Sequence, residues 1–185
     1  MLFRSQVVVD NRPGGAGNIG AEIAARSTPD GHTLFTAGIS FAVNASLFRK
    51  LAFDPVKDFD AVSLVATVPL IVVVHPSVPA HSIRELIALA KARPGQLNYA
   101  SGGIGTGNHV AGELFKYMAG VDIVHVAYKG GGPALADVVA GQVQLLFNTM
   151  TSTVGFLKSG RLRALAVTHD AQPAVLEDDL VALAR

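Results

Sequence analysis

The chain has no cysteine, no tryptophan, no run of like charges and no uninterrupted apolar stretch long enough to span a membrane. Without cysteine there is no disulfide framework and no thiolate metal site. The six histidines fall in no metal-ligand spacing such as H-E-x-x-H, so no metal is expected. Fifteen basic and fourteen acidic residues nearly cancel, to a formal charge of +1, and they are scattered along the chain. Nothing therefore marks nucleic acid or an anionic membrane as a partner. The longest apolar region, AVSLVATVPLIVVV, is interrupted by Ser63, Thr67 and Pro69, which argues against membrane insertion. The opening residues MLFRSQVVVD hold one arginine and three valines, too little for the apolar core of a signal peptide.

What is present is a core. Half of the 185 residues are hydrophobic and 16% are charged, enough for one ordinary domain or two small lobes. Short β-branched runs alternate with helical patterns, which predicts an α/β fold with a largely parallel sheet. In the first part QVVVD and HTLFTAG read as strands, NIGAEIAARS as a helix, and Ala45–Lys50 as a short helix. AVSLVATVPLIVVVHP reads as two strand pieces broken near Pro69, where the chain crosses between lobes. Ser82 and Glu85 stand at capping-box spacing at the head of IRELIALAKAR, and Pro94 and Gly95 stop that helix. From there LNYAS, DIVHVAY, QLLFNT and LRALAVT read as strands. NHVAGELFKYMAG, PALADVVAG and TVGFLKSG read as the helices between them, the first with Val110, Leu114 and Met118 on one face.

Each of these later strands ends in small or polar residues: SGGIGTG, KGGG, NTMTST and TH. In parallel sheets, ligands bind outside the carboxyl ends of the strands, so these loops are expected to share one rim. Between Asn98 and Phe115, Gly102, Gly103, Gly105 and Gly107 separate a strand from a helix. This is not a Walker loop, because no Gly-Lys-Ser/Thr ending follows. Backbone N–H groups, the hydroxyls of Ser101 and Thr106 and a helix start near Asn108 suit a carboxylate as well as a phosphate. His109 lies in the first turn of that helix, where it lines a ligand or caps the loop. His125, inside an apolar strand, reads as a core histidine. Tyr128, Lys129 and Asn148 end the neighbouring strands, with Lys129 able to balance ligand charge and Asn148 able to donate to an oxygen.

GAGNIG, from Gly15 to Gly20, matches G-x-G-x-x-G, but the next strand ends FTAGIS with no acid to hold a ribose. No serine sits in G-x-S-x-G; the nearest approach is around Ser40. No catalytic group and no cofactor is indicated. Two readings of the residues stay open, a carboxylate-binding protein and a nucleotide- or phosphate-ester-binding α/β enzyme.

With these motifs assembled, the chain resembles the Bug family, the extracytoplasmic solute receptors of tripartite tricarboxylate transporters. VVVDNRPGGAGNIGAE, FDPVKDFDAVSLVA, NYASGGIGTGNHVAGELF, VHVAYKGGGPAL and LRALAVT follow the family's order and spacing across Gln6 to Thr168. The resemblance implies a type II periplasmic-binding fold, with mostly parallel sheets and flanking helices, two lobes closing on a small carboxylate, and no enzymatic activity. It implies that the ligand is a di- or tricarboxylate, an acidic amino acid or an aromatic carboxylate, delivered to the transporter's membrane subunits in the periplasm. Ser101, Gly102, Gly103, Gly105, Thr106, Asn108 and His109 match the loop that holds one carboxylate, largely through main-chain N–H groups and water. Ser40, Asn44, Tyr128 and Asn148 are the expected sites of specificity, with Lys129 counted among the ligand-binding residues for its charge. Against the family pattern the expected division is a partial first lobe over 1–68, a complete second lobe over 69–168, and an atypical tail over 169–185. That division leaves a third reading, a shortened remnant that no longer binds.

Overall fold

The structure, a computed structural model, describes residues 6–168. The described residues form two compact units that part after Asp60.

The first unit is built on aromatic packing. Phe41 stacks on Phe53 at 5.7 Å and meets Phe59 edge-on at 5.0 Å, and Phe35 joins at 5.6 Å from Phe41. A 3-10 turn over Gly15–Gly17 leads into α1 (Asn18–Ala25), and α2 spans Ile39–Leu47. The turn carries positive φ at Gly14, Gly15, Ala16 and Gly17, a left-handed path that only glycine takes without strain. Asn44, fully buried on α2, holds the turn by donating from Nδ2 to the Ala16 carbonyl (3.1 Å) and to Asn18 Oδ1 (2.9 Å). Further on, Asp54 Oδ1 accepts from the N–H groups of Val56 and Lys57, and these bonds hold its carboxyl below the ordinary value.

QVVVD and HTLFTAG are not strands: residues 6–10 and 32–38 form no regular secondary structure, and Val7, Val8, Val9 and Leu34 are exposed. A strand needs a neighbour to take its N–H and C=O groups, and the described part of this unit provides none. The helix expected at Ala45–Lys50 is α2, which starts six residues earlier, at Ile39.

The second unit contains a five-stranded mixed sheet. Its elements in chain order are β1 (Leu70–Val74), α3 (Ile83–Ala92), β2 (Asn98–Ser101), α4 (Gly107–Ala119), β3 (Val124–Ala127), α5 (Gly131–Val139), β4 (Leu145–Thr149), α6 (Met150–Lys158) and β5 (Arg163–Val167). The spatial order is β3-β2-β4-β1-β5. β2 pairs parallel with β3 and β4, whereas β1 lies antiparallel to β4 and β5. Four strands thus run one way and β1 alone runs back. Of the expected pair of strand pieces around Pro69, only the second forms; residues 61–68 form no strand, and Val62, Leu64 and Val65 are exposed. β1 differs because it has a partner on each side.

β1 reads LIVVV because both of its faces are covered. Ile71 and Val73 pack with Leu146, Ala164 and the α5 residues Ala134, Leu135 and Val138. Val72 and Val74 face the other layer, with Tyr99, Leu145, Phe147 and the α3 residues Leu86 and Ala90. Burying each such aliphatic side chain contributes about 1.5–3 kcal/mol, so this two-sided core is the main support of the rim above it. On α4, Val110, Leu114 and Met118 do share a face, but Leu114 and Met118 are exposed. The face that packs on the sheet carries Ala111, Phe115 and Ala119, with Gly112 buried between them. A Cβ on Gly112 would overlap the Tyr99 ring.

Candidate functional site

Strand direction sets the site. β2, β3, β4 and β5 end at Ser101, Ala127, Thr149 and Val167, and the pairings Ser101↔Ala127, Ile71↔Val167 and Leu70↔Thr149 place these ends on one edge of the sheet. Three helices start there directly: α4 after β2, α5 after β3 and α6 after β4. Their N-cap residues are Thr106, Gly130 and Thr149, none of which gives a side-chain capping bond. No acidic residue lies in the first turn of any of the three. Each helix start presents unpaired N–H groups and about half a positive charge.

The β2–α4 loop is tied from within. Ser101 is fully buried, and its Oγ accepts from the Gly103 N–H (3.1 Å) and lies 2.6 Å from His125 Nε2. Thr106 Oγ1 donates to the Gly103 carbonyl at 2.6 Å. The buried Gly105 donates its N–H to His109 Nδ1 at 3.2 Å. Gly103 (φ 125°) and Gly105 (φ 87°) adopt conformations that a side chain would strain. Gly102 meets the next loop backbone to backbone. Its carbonyl accepts from Gly130 N at 3.1 Å, and a Cβ on it would sit 3.1 Å from Gly130 C and Gly131 N.

Several of the residues expected at the ligand turn out to hold the rim together. Asn108 donates from Nδ2 to the Phe147 carbonyl and to Asn148 Oδ1, joining the start of α4 to the end of β4. Asn148 is itself buried and donates from Nδ2 to Ser152 Oγ at 3.0 Å. Tyr128 donates its hydroxyl to Asp137 Oδ2 on α5 at 2.7 Å; burial and that carboxylate push the phenol up to about 12. Lys129 is exposed at the head of the β3–α5 loop. Ser40 and Asn44 belong to the first unit. Ser40 is half-buried near the start of α2, and the buried Asn44 braces the glycine turn.

At the start of α4 the first-turn N–H groups of Gly107, Asn108 and His109 are donors that an α-helix cannot pair internally. Beside them the sequence reading missed a partly buried polar chain behind the loop, anchored on the buried Tyr99. His125 stacks on Tyr99 at 4.8 Å and lies 4.5 Å from the His109 ring. Tyr99 donates its hydroxyl to Glu113 Oε1 at 2.6 Å, and Lys116 donates to the same oxygen at 3.0 Å. Burial raises the Tyr99 hydroxyl above its ordinary value, and Glu113 adds to it. Glu113 is raised by its partial burial, but the bonds from Tyr99 and Lys116 outweigh that and leave it lowered. Burial, and then the charge of His109, lower His125. Gly112, mid-helix and opposite Tyr99, was the available signal for this packing.

Among the described residues no group of His, Asp or Glu is placed to hold a metal ion, and no helix is long and apolar enough to cross a membrane. What the three helix starts offer chemically is a set of N–H donors of the kind that suits an anion.

Known proteins resemble this chain in sequence and in fold. The "Tripartite tricarboxylate transporter family receptor" family matches residues 3–181. Protein BugT of Bordetella pertussis is 39% identical over 163 residues, covering 87% of this chain and 50% of BugT. A structure described as a periplasmic transporter has a TM-score of 0.85 at 41% identity, over 92% of this chain and 58% of that one. An R. palustris protein solved with adipate has a TM-score of 0.83 at 37% identity, over 89% of this chain and 56% of its own. MatC of Rhodopseudomonas palustris, solved with bound malate, has a TM-score of 0.75 at 30% identity, over 88% of this chain and 56% of its own. The chain spans about half the length of the curated relatives it matches. The family match over nearly the whole chain, together with the 39% identity to BugT, shows that this chain belongs to the tripartite tricarboxylate transporter receptor family, a family of solute-binding receptors rather than enzymes.

Proposed function

We propose that this chain binds a small carboxylate at the rim where α4, α5 and α6 begin. The observation that carries this reading is the set of three helix starts on one edge, all without side-chain caps and without acids. The N–H groups of Gly107, Asn108 and His109 hold one carboxylate, and the first-turn N–H groups of α5 and α6 serve the rest of the ligand. Lys129 adds positive charge from the neighbouring loop. Adipate and malate in the related structures point to a dicarboxylate as the ligand class. As in the family, the ligand is taken up in the periplasm and passed to the membrane subunits of a tripartite tricarboxylate transporter.

The magnitudes are adequate. A hydrogen bond to a charged group contributes about 1.5–3 kcal/mol, and a helix start adds about 0.3–1. Micromolar affinity needs about 8 kcal/mol net, which several such bonds and more than one helix start can supply. One carboxylate on one loop cannot.

The test is a thermal-unfolding screen of the chain with adipate, malate, citrate, succinate and glutamate, with ATP and NAD as controls. A carboxylate at a hundred times its Kd stabilises the fold by about 2.7 kcal/mol, a readily measured rise in Tm. A shift with ATP or NAD and none with any carboxylate would favour the phosphate-ester reading. A cooperative melt moved by none of these compounds would refute binding by this chain.

A further inference from the structure

Behind the β2–α4 loop, His125 and Ser101 make a contact that ligand recognition alone does not require. Ser101 Oγ has one proton to give and two lone pairs. One lone pair accepts the Gly103 N–H, and the proton has two possible acceptors, His125 Nε2 at 2.6 Å and the Gly103 carbonyl at 3.2 Å. The carbonyl already accepts from Thr106 N at 3.2 Å and Thr106 Oγ1 at 2.6 Å. The uncrowded, shorter partner is the histidine.

We propose that His125 is a positioning residue: its Nε2 accepts the Ser101 hydroxyl proton and so holds Ser101–Gly105, and the start of α4 with it, in the shape that faces the ligand. Only the functional consequence rests on the carboxylate reading. The loop geometry stands apart from it.

Protonation reverses the arrangement. A charged His125 has no acceptor at Nε2 and must donate to Ser101 Oγ. The serine proton then turns to the Gly103 carbonyl, which would have to accept a third bond. The groups that face His125 are Tyr99 from β2 and His109, Glu113 and Lys116 from α4. Burial and the neighbouring His109 outweigh the opposing pull of Glu113, so the neutral ring is favoured below the ordinary value of 6.5.

The test is amide hydrogen exchange of Gly103, expressed as a protection factor, in the chain and in four variants: His125→Phe, His125→Gln, Ser101→Ala and the double variant Ser101→Ala/His125→Phe. Phenylalanine keeps a ring against Tyr99 and removes the acceptor; glutamine restores an acceptor. His125→Phe should lower Gly103 protection about tenfold, the loss of roughly one hydrogen bond. His125→Gln should recover most of it. The double variant should be no worse than the weaker single variant, because both remove one linkage. Acidification through and below the ordinary histidine value of 6.5 should lower Gly103 protection in the parent, and that loss should vanish in His125→Phe. Affinity for malate or adipate should fall about tenfold in His125→Phe. Unchanged Gly103 protection in His125→Phe would overturn the proposal, as would single-variant losses that multiply in the double variant. If the protection pattern appears while the parent binds neither dicarboxylate, the positioning role stands and the carboxylate reading alone fails.

Discussion

The two edges of the second unit's sheet treat their helix starts in opposite ways. At the edge where β1 ends, α3 begins fully finished: Ser82 Oγ accepts from Glu85 N, and Glu85 Oε2 accepts from the His81 N–H at 2.7 Å. An acid sits in its first turn. At the opposite edge α4, α5 and α6 have neither cap nor acid. The same chain therefore applies the ordinary capping rule where only stability is at stake. It leaves the rule unmet three times along the edge where ligands bind in such sheets. Unmet local rules of this kind gather at functional sites.

The contrast can be broken at its foundation. Gly112→Ala would drive a methyl into the buried Tyr99 ring, whose hydroxyl is pinned by Glu113. It should destabilise the chain by about 3 kcal/mol, read as a lower denaturant midpoint, and displace the start of α4 with it. A subtler break makes the binding rim resemble the far one. A Cβ at Gly131 meets nothing, so Gly131→Asp places an acid in the first turn of α5 without a clash. Its melt should hold or rise slightly, while dicarboxylate affinity falls about tenfold by titration, roughly 1.4 kcal/mol. The complementary change, Ser82→Ala, should cost about 1 kcal/mol of stability and leave ligand affinity unchanged. If Ser82→Ala weakened binding as much as Gly131→Asp, the two edges would not be functionally distinct.

The smallest effect is that of pH. His125 is lowered in the folded state, so on acidification the unfolded chain takes up its proton first. Its contribution is complete above the unfolded value near 6.5 and is lost as the pH falls through the folded value. Glu113, also lowered, acts in the same direction in a more acidic window, with stability present above its ordinary value of 4.5 and lost below it. Tm should therefore decline modestly between neutral and mildly acidic pH, and His125→Gln should flatten the upper part of that decline.

How much was legible in the sequence varied with the kind of interaction. β1, with a run of five apolar residues, and α3, with its Ser82–Glu85 spacing, were readable because local pattern and tertiary environment agree there. The shared rim was readable from the small residues ending successive strands. QVVVD and HTLFTAG misled because β-branched composition specifies a pleated surface, whereas a strand also requires a partner. At the site, residue type identified the loops but not which groups face outward. Ser101 and Asn148 have the donors that a carboxylate wants, yet both are buried and bonded to the protein. The pairing of His125 with Ser101 across 24 positions has no local signal, since it follows from the register of β2 against β3.

The most direct test of the account follows backbone amide shifts at both edges in one titration with malate or adipate. The account predicts saturable shifts at Gly107, Asn108, His109 and Gly131, with Ile83, Arg84 and Glu85 unmoved. Shifts confined to the Ile83–Glu85 edge, or saturation by ligand with the α4 and α5 starts unmoved, would contradict it.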